Sequence, residues 1–226
     1  MDSKPPSLTE RRKAATQLEI ARAAARLFSD RGADAVTAEE IAQQAGVAVR
    51  TFYRYFRTKE DAVAPLLTVG AGHWRALLAA SAPQEEPLEA LERTILEVLT
   101  PHTDADIESL RWTLGLLRAS DDDPALQFVW YRVNGESEAQ LREVVATLAG
   151  SGADPFAVRL IAAAATDALR VALETCAAAD DPMSDPGLPA ALAVRALREL
   201  TSGVELYPVG LDERTIAEGS PGRPNI

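Results

Sequence analysis

An all-α protein of about nine helices is what this sequence predicts, and three observations carry it. Alanine, the strongest helix former, supplies 42 of the 226 residues, whereas aromatic residues, which favour strands, make up only 5%. Apolar residues recur at i, i+3, i+4 and i+7 along much of the chain, the spacing that lines one side of a helix. The periodic stretches are separated by explicit breakers, such as the Pro-rich run 82–87 and the cluster from Asp121 to Pro124. With 47% hydrophobic and 25% charged residues, the chain holds one or two domains with a real core.

Taken in order, Thr9 can cap a first helix running to about Arg31, with Ile20, Ala24, Leu27 and Phe28 as its apolar stripe and Gly32 at the left-handed stop. Thr37 and Glu40 form a capping box, in which each side chain bonds the other's backbone N–H, and open a short helix with Ile41 and Ala45 inward. Gly46-Val47-Ala48 turns the chain into a second short helix, Val49 to about Tyr55, and Thr58 to Asp61 starts the next. Further helices are expected at roughly 59–80, 86–99, 104–119, 124–149, 154–179 and 188–202, followed by an irregular tail over 203–226 that holds Gly and Pro without any period.

Several function classes fall away. The lone Cys176 excludes a disulfide scaffold or a multi-cysteine zinc site. His73 and His102 are too isolated to argue for a metal, so neither metal nor cofactor is expected. G-x-S-x-G, H-E-x-x-H and a glycine-rich phosphate loop are all missing, which speaks against an enzyme. No apolar run approaches the ~20 residues of a membrane span, and the first residues lack the apolar region of a signal peptide. A cytoplasmic protein with no membrane partner is the expectation.

Charge is unevenly spread. The whole chain carries 23 Lys+Arg against 34 Asp+Glu, a net charge of −11. Residues 1–60 hold 11 of the basic and 8 of the acidic residues, net +3, which leaves 12 and 26, net −14, for residues 61–226. Such asymmetry points to a small segment that meets a polyanion and a larger body that does not.

Two short helices joined by a tight glycine turn fit a helix-turn-helix, although spacing alone equally fits an ordinary helical corner. Composition favours the first. In VRTFYRYFRTK, Phe52 and Phe56 make the inward face, and Arg50, Thr51, Tyr53, Arg54, Tyr55, Arg57 and Lys59 fill the other faces with no acidic residue between them.

On these residues the stretch from Arg11 to Asp61 resembles the DNA-binding domain of the TetR family of bacterial repressors. The resemblance rests on LFSDRG (27–32), TAEEIAQQAGVA (37–48) and TFYRYFRTKED (51–61), about a quarter of the chain. Where the family commonly has a capping Ser, this chain has Ala48, which costs about 1 kcal/mol of local stability. The resemblance implies a DNA-binding domain over 1–57, a helical ligand-binding and dimerisation domain over 58–202, and a tail over 203–226. It assigns Thr37, Tyr53, Tyr55 and Lys59 to phosphate positioning and Val49, Arg50, Thr51 and Arg54 to the major-groove surface. Arg50 is the candidate for bidentate contact with guanine, and Val49 for packing on a thymine methyl. Glu39, where relatives often carry a basic or polar base-contacting residue, either accepts from a cytosine amine or stays off the DNA.

One short helix reads too few base pairs to select a genomic site, so a homodimer on a palindromic operator of double-stranded DNA is expected. In the eighth helix Val158, Ile161, Ala165, Ala168, Ala172 and Cys176 form a small-residue stripe, and in the ninth Ala193, Ala196, Leu197 and Leu200 repeat at helical spacing. Both faces suit either the subunit's own core or an interface, and the family pairs these two helices with their symmetry mates. Pro65 is expected inside the connecting helix as a kink, with Gly70 and Gly72 loosening it further; a moving hinge and a static bend are both compatible. The resemblance also places His73, Trp74, Trp112, Leu116, Leu117, Phe128, Trp130 and Tyr131 on helices that enclose an inducer cavity, where a mostly apolar effector would fit, although tryptophans at helical spacing more often form a core. The chain reads as a ligand-responsive transcriptional regulator, most simply a repressor. The alternative is a ligand-independent helical repressor or architectural DNA-binding protein.

Overall fold

The computed structural model describes residues 7–82 and 85–207, and among them every regular element is helical. The elements are α1 (Leu8–Arg31), α2 (Ala38–Gln44), α3 (Val49–Tyr55), a 3-10 turn (Glu60–Val63), α4 (Ala64–Ala79), α5 (Pro87–Leu99), α6 (Asp104–Ser120), α7 (Pro124–Ala149), α8 (Pro155–Ala177) and α9 (Leu188–Thr201).

Helix starts follow local chemistry. α1 is capped by Ser7 rather than Thr9: the Ser7 hydroxyl accepts from the Glu10 N–H at 3.2 Å, and the Glu10 carboxylate accepts from the Ser7 N–H at 2.7 Å. A capping box needs an acidic partner three residues on. Ser7 has Glu10 there, while Thr9 has Arg12. Gly32 closes α1 at φ +76°, and its N–H reaches the Phe28 carbonyl at 2.9 Å. Thr103 and Asp106 repeat the capping box at α6, and Asp123 and Asp154 cap α7 and α8 from the side chain.

Pro65 does not kink the connector. It lies in the first turn of α4, where its missing N–H costs little, and the chain enters α4 directly from the 3-10 turn. The expected break thus becomes a change of helical pitch at a helix start.

Packing forms two main cores. One lies under α1–α3 and buries Ile20, Phe28, Ile41, Phe52 and Val63, but it also takes Leu116 from α6 and Leu126, Val129 and Val133 from α7. The other fills the body between α4, α5, α7, α8 and α9 around Leu78, Leu91, Leu141, Ile161 and Leu197. The expected dimer stripe belongs to this second core. Val158, Ile161, Ala165, Ala168, Ala172, Ala193 and Leu197 are buried inside the subunit, where small side chains let α8 and α9 lie close together. Ala196 is half-buried and only Leu200 is exposed. The apolar residues left open are mostly others, Phe156, Leu160 and Val171 on α8 and Leu188 on α9, with Leu200 the one member of the expected stripe among them. Of the tail, only 203–207 lies within the described residues. There the Leu206 carbonyl accepts from the Asp154 N–H at 2.9 Å, and the Tyr207 hydroxyl donates to the Ala149 carbonyl at 2.8 Å.

α1 and α6 pack closely at Gly115 and Ser29. A Cβ built on Gly115 would lie 1.8 Å from Ser29 Oγ and 2.8 Å from Ser29 Cβ. Rotating the hydroxyl relieves the first clash but not the second. Gly115→Ala is therefore expected to destabilise the protein by about 1–3 kcal/mol through overpacking. Ser29→Gly should recover part of this loss in the double variant, read as the midpoint of thermal unfolding; a Gly115→Ala protein as stable as the parent would contradict the contact.

Candidate DNA-reading surface and ligand cavity

α2 and α3 hold the reading surface, and each is positioned by its own turn chemistry. The Glu40 carboxylate accepts the Thr37 N–H at 2.8 Å, while the Thr37 hydroxyl accepts from the Glu40 N–H at 3.2 Å. Arg31 reaches across from α1 to Glu40 at 2.9 Å and to the Ala35 carbonyl at 2.5 Å. Between the helices Gly46 sits at φ +66°, a conformation that glycine adopts without strain, and the Val47 N–H bonds the Ala42 carbonyl at 2.9 Å. α3 begins without a side-chain cap, as Ala48 requires.

On α3, Phe52 is fully buried and Phe56 nearly so, with ring centroids 5.5 Å apart. This anchors the helix so that Arg50, Tyr53 and Arg54 stand exposed, Tyr53 at 54% of its full area. Thr51 is partly exposed beside them. Val49 and Tyr55 are half-buried and pack against the core beneath, and the Arg54 guanidinium lies 4.9 Å from the Tyr55 ring centroid. Thr37 is exposed at the start of α2, and Glu39 is exposed in its first turn. Lys59 is more committed than its assignment to phosphate implied: its ammonium donates to the Ala33 carbonyl at 2.8 Å and ties the 3-10 turn to the loop after α1.

The capping bond to the Thr37 N–H, followed by Arg31, holds the Glu40 carboxyl below the usual carboxylate range. A depressed folded-state value means the contribution is present at neutral pH and is lost as pH falls through that lowered value. The α2 start is thus expected to loosen in acid. Glu40→Gln should be less stable than the parent at neutral pH, and the gap should narrow as the pH drops below the carboxylate range. A gap independent of pH in thermal unfolding would contradict this role.

Behind the reading surface lies a cavity of about 700 Å³, walled by α4, α6, α7 and α8 and touched by α1 and α5. Of the residues expected to line it, His73, Trp74, Trp112 and Trp130 do. Leu116, Phe128 and Tyr131 do not. Leu116 is buried in the core under the reading helices, and Leu117 packs in a smaller cluster beside Trp130. Phe128 (67% exposed) and Tyr131 (48%) project from the outer side of α7, where Arg170 stands 5.8 Å from the Tyr131 ring centroid. The reason is helical phase: Trp130, Val133 and Ser137 face inward, so positions 128 and 131 must face away.

The cavity grades from apolar to polar. Trp74, Trp130, Val133 and Leu173 are its buried wall, whereas Arg22, His73, Asp106 and Glu108 lie on its exposed side. The wall is held by specific bonds. Trp74 Nε1 donates to Thr94 Oγ1 at 3.0 Å, and Trp130 Nε1 donates to the Glu174 carboxylate at 2.7 Å, which Arg170 also holds at 2.9 Å. Next to Trp130, Arg132 bonds Asp61 of the 3-10 turn at 2.9 Å, linking the cavity wall to the root of the reading domain. Sequence reasoning missed the polar lining residues Asn134, Ser137 and Thr166. For Ser137 a signal existed: it interrupts the inward apolar row Val133, Leu141, Val145 at four-residue spacing.

Residues 20–64 match the family described as bacterial regulatory proteins, tetR family. The chain is 30% identical over 162 residues to the HTH-type transcriptional regulator TcmR of Streptomyces glaucescens, covering 70% of this chain and 71% of that one. Its fold is similar to that of Thermus thermophilus FadR, a TetR-family transcriptional repressor solved in complex with lauroyl-CoA (TM-score 0.55, 24% identity, 92% of this chain and 100% of that one). It is also similar to NalD of Pseudomonas aeruginosa, the secondary repressor of the MexAB-OprM multidrug efflux pump (TM-score 0.53, 20% identity, 84% and 96%). A helix-turn-helix with a cationic second helix, set on a helical body, in a chain that is 30% identical to TcmR over 70% of its length, makes this chain a transcriptional regulator of the TetR family.

Proposed function

We propose that the chain is a ligand-responsive repressor that binds a palindromic operator as a homodimer in the cytoplasm and releases it when a mostly apolar small molecule enters the body. In this reading residues 1–57 meet DNA, while 58–202 hold the ligand and the second subunit. The observation that carries it is the 700 Å³ cavity whose wall includes all three tryptophans of the chain. A ligand-independent repressor has no use for such a space. The Arg132–Asp61 bond supports a route from cavity to reading domain, because Arg132 sits between the wall residues Trp130 and Val133. Support for pairing comes from the open apolar face of α8, Phe156, Leu160 and Val171, together with Leu188 and Leu200 of α9.

Arg50, Thr51 and Arg54, with Val49, would read bases, and Thr37, Tyr53, Tyr55 and Lys59 would hold phosphates. The test is to select operator sequences from random duplexes with the purified protein, then screen apolar compounds by thermal shift and by release of that operator in a mobility assay. Leu173→Trp, which fills the cavity, should bind operator normally but no longer respond. Failure of every stabilising compound to release DNA would favour the ligand-independent reading, and a monomer at micromolar concentration would remove the dimer.

A further inference from the structure

A second concave site lies outside the tryptophan cavity, at the seam between α1, α6 and the loop joining α8 to α9. It encloses about 420 Å³. Its floor is apolar where Ala119 from α6 and Pro182 and Met183 from the loop are half-buried, while Phe28 and Leu114, which also border it, are fully buried. On α6 the residues Arg111, Leu114, Gly115 and Arg118 fall at i, i+3, i+4 and i+7 and so share one face, with the two arginines roughly 10 Å apart along the axis.

Both arginines are exposed, and neither enters an ion pair among the described residues. In this body, with a net charge of −14 over residues 61–226, Arg93, Arg132, Arg170, Arg195 and Arg198 are each paired with a carboxylate, whereas Arg111 and Arg118, like Arg75, Arg142 and Arg159, are not. The one acidic group on the rim, Asp181, accepts from the Met183 N–H at 3.2 Å and pairs with neither arginine. Between the arginines, Gly115 lets α6 lie directly against Ser29 of α1, which also lines the site.

We propose that this seam is a second small-molecule site that takes an organic anion with an apolar body, such as an aryl or alkyl carboxylate, sulfonate or phosphate ester. The apolar portion lies on Ala119, Pro182 and Met183, and the anionic group is held by Arg111 and Arg118, whose guanidinium forks match the geometry of oxyanions. A neutral molecule leaves both cations unanswered, and inorganic phosphate leaves the floor uncovered. The site differs in kind from the tryptophan cavity, whose buried wall has no charged group in it.

Two dyes with the same aryl frame separate the sites: neutral N-phenyl-1-naphthylamine and anionic 1-anilinonaphthalene-8-sulfonate. Calorimetric titration of the full chain with the sulfonate, in the presence of saturating neutral dye, should still show one binding event that weakens with added salt. Arg111→Gln/Arg118→Gln should lower this affinity about tenfold or more, as expected on losing charge-assisted bonds, and Arg111→Lys/Arg118→Lys should retain part of it. Affinity for the neutral dye and the unfolding midpoint should stay unchanged in both variants, because the arginines are exposed. Absence of sulfonate binding once the neutral dye is saturating, or undiminished binding by the glutamine variant, would overturn the proposal. Because the neutral dye reports the tryptophan cavity separately, failure here is distinct from failure of the ligand-responsive reading.

Discussion

Phe52→Ala should lower the stability of the reading domain by about 3–5 kcal/mol, the cost of emptying a fully buried aromatic position. Phe52 is the single buried residue of the seven in α3, and the ring of Phe56 leans on it at 5.5 Å. Because α3 lacks a side-chain cap, nothing local compensates. Domains are stable by only about 5–15 kcal/mol, so the loss should unfold α2 and α3 while the second core around Leu91 and Ile161 persists. Hydrogen exchange should then show α3 amides unprotected and α8 amides protected. Tyr53→Ala, at an exposed position, is the control and should leave exchange unchanged. Full protection of α3 in the Phe52 variant would contradict the packing.

Arg50→Ala should weaken binding to the selected operator by about 1–3 kcal/mol, or roughly fivefold to 150-fold, and relax base preference at one position in each half-site. Arg50 is exposed at the start of α3, where no described residue holds its guanidinium. Lys59→Ala should instead weaken all sequences alike, and it should also reduce stability, because its ammonium closes the 2.8 Å bond to Ala33. Binding titrations on operator and scrambled duplex distinguish the two. An equal loss on both for Arg50→Ala would remove it from base reading.

The contrast between these two residues shows where local pattern stops informing. Both are cations beside the same helix, and chain position separates them poorly. Arg50 is left free because α3 turns that face outward on Phe52, whereas Lys59 is engaged because the loop after α1 folds back within reach. The same distinction runs through the body. Trp74, Trp112 and Trp130 were legible as candidates because large aromatic residues on the inward faces of long helices either fill a core or wall a cavity, and here all three wall the cavity while Trp74 and Trp130 also belong to the core. Phe128 and Tyr131 carry the same composition but the opposite helical phase. A single-residue error in phase turns lining into surface, which is why the outer pair was misassigned while the neighbouring tryptophan was not.

Helix positions, the all-helical class, the capping boxes at Thr37 and the turn at Gly46 were determined by residues within a few positions of one another, because caps, breakers and periodicity act over one or two turns. Family membership was readable for the same reason: its motifs are contiguous. The tertiary structure alone decided which face of α8 and α9 is core. Small residues permit close helix packing whether the neighbour belongs to the same chain or another, and only the assembled body shows that the alanine stripe is already occupied. It also decided that Pro65 starts a helix instead of bending one, and that Arg111 and Arg118 share a seam with Phe28. Those outcomes depend on contacts between segments far apart in the chain, and no local preference encodes them.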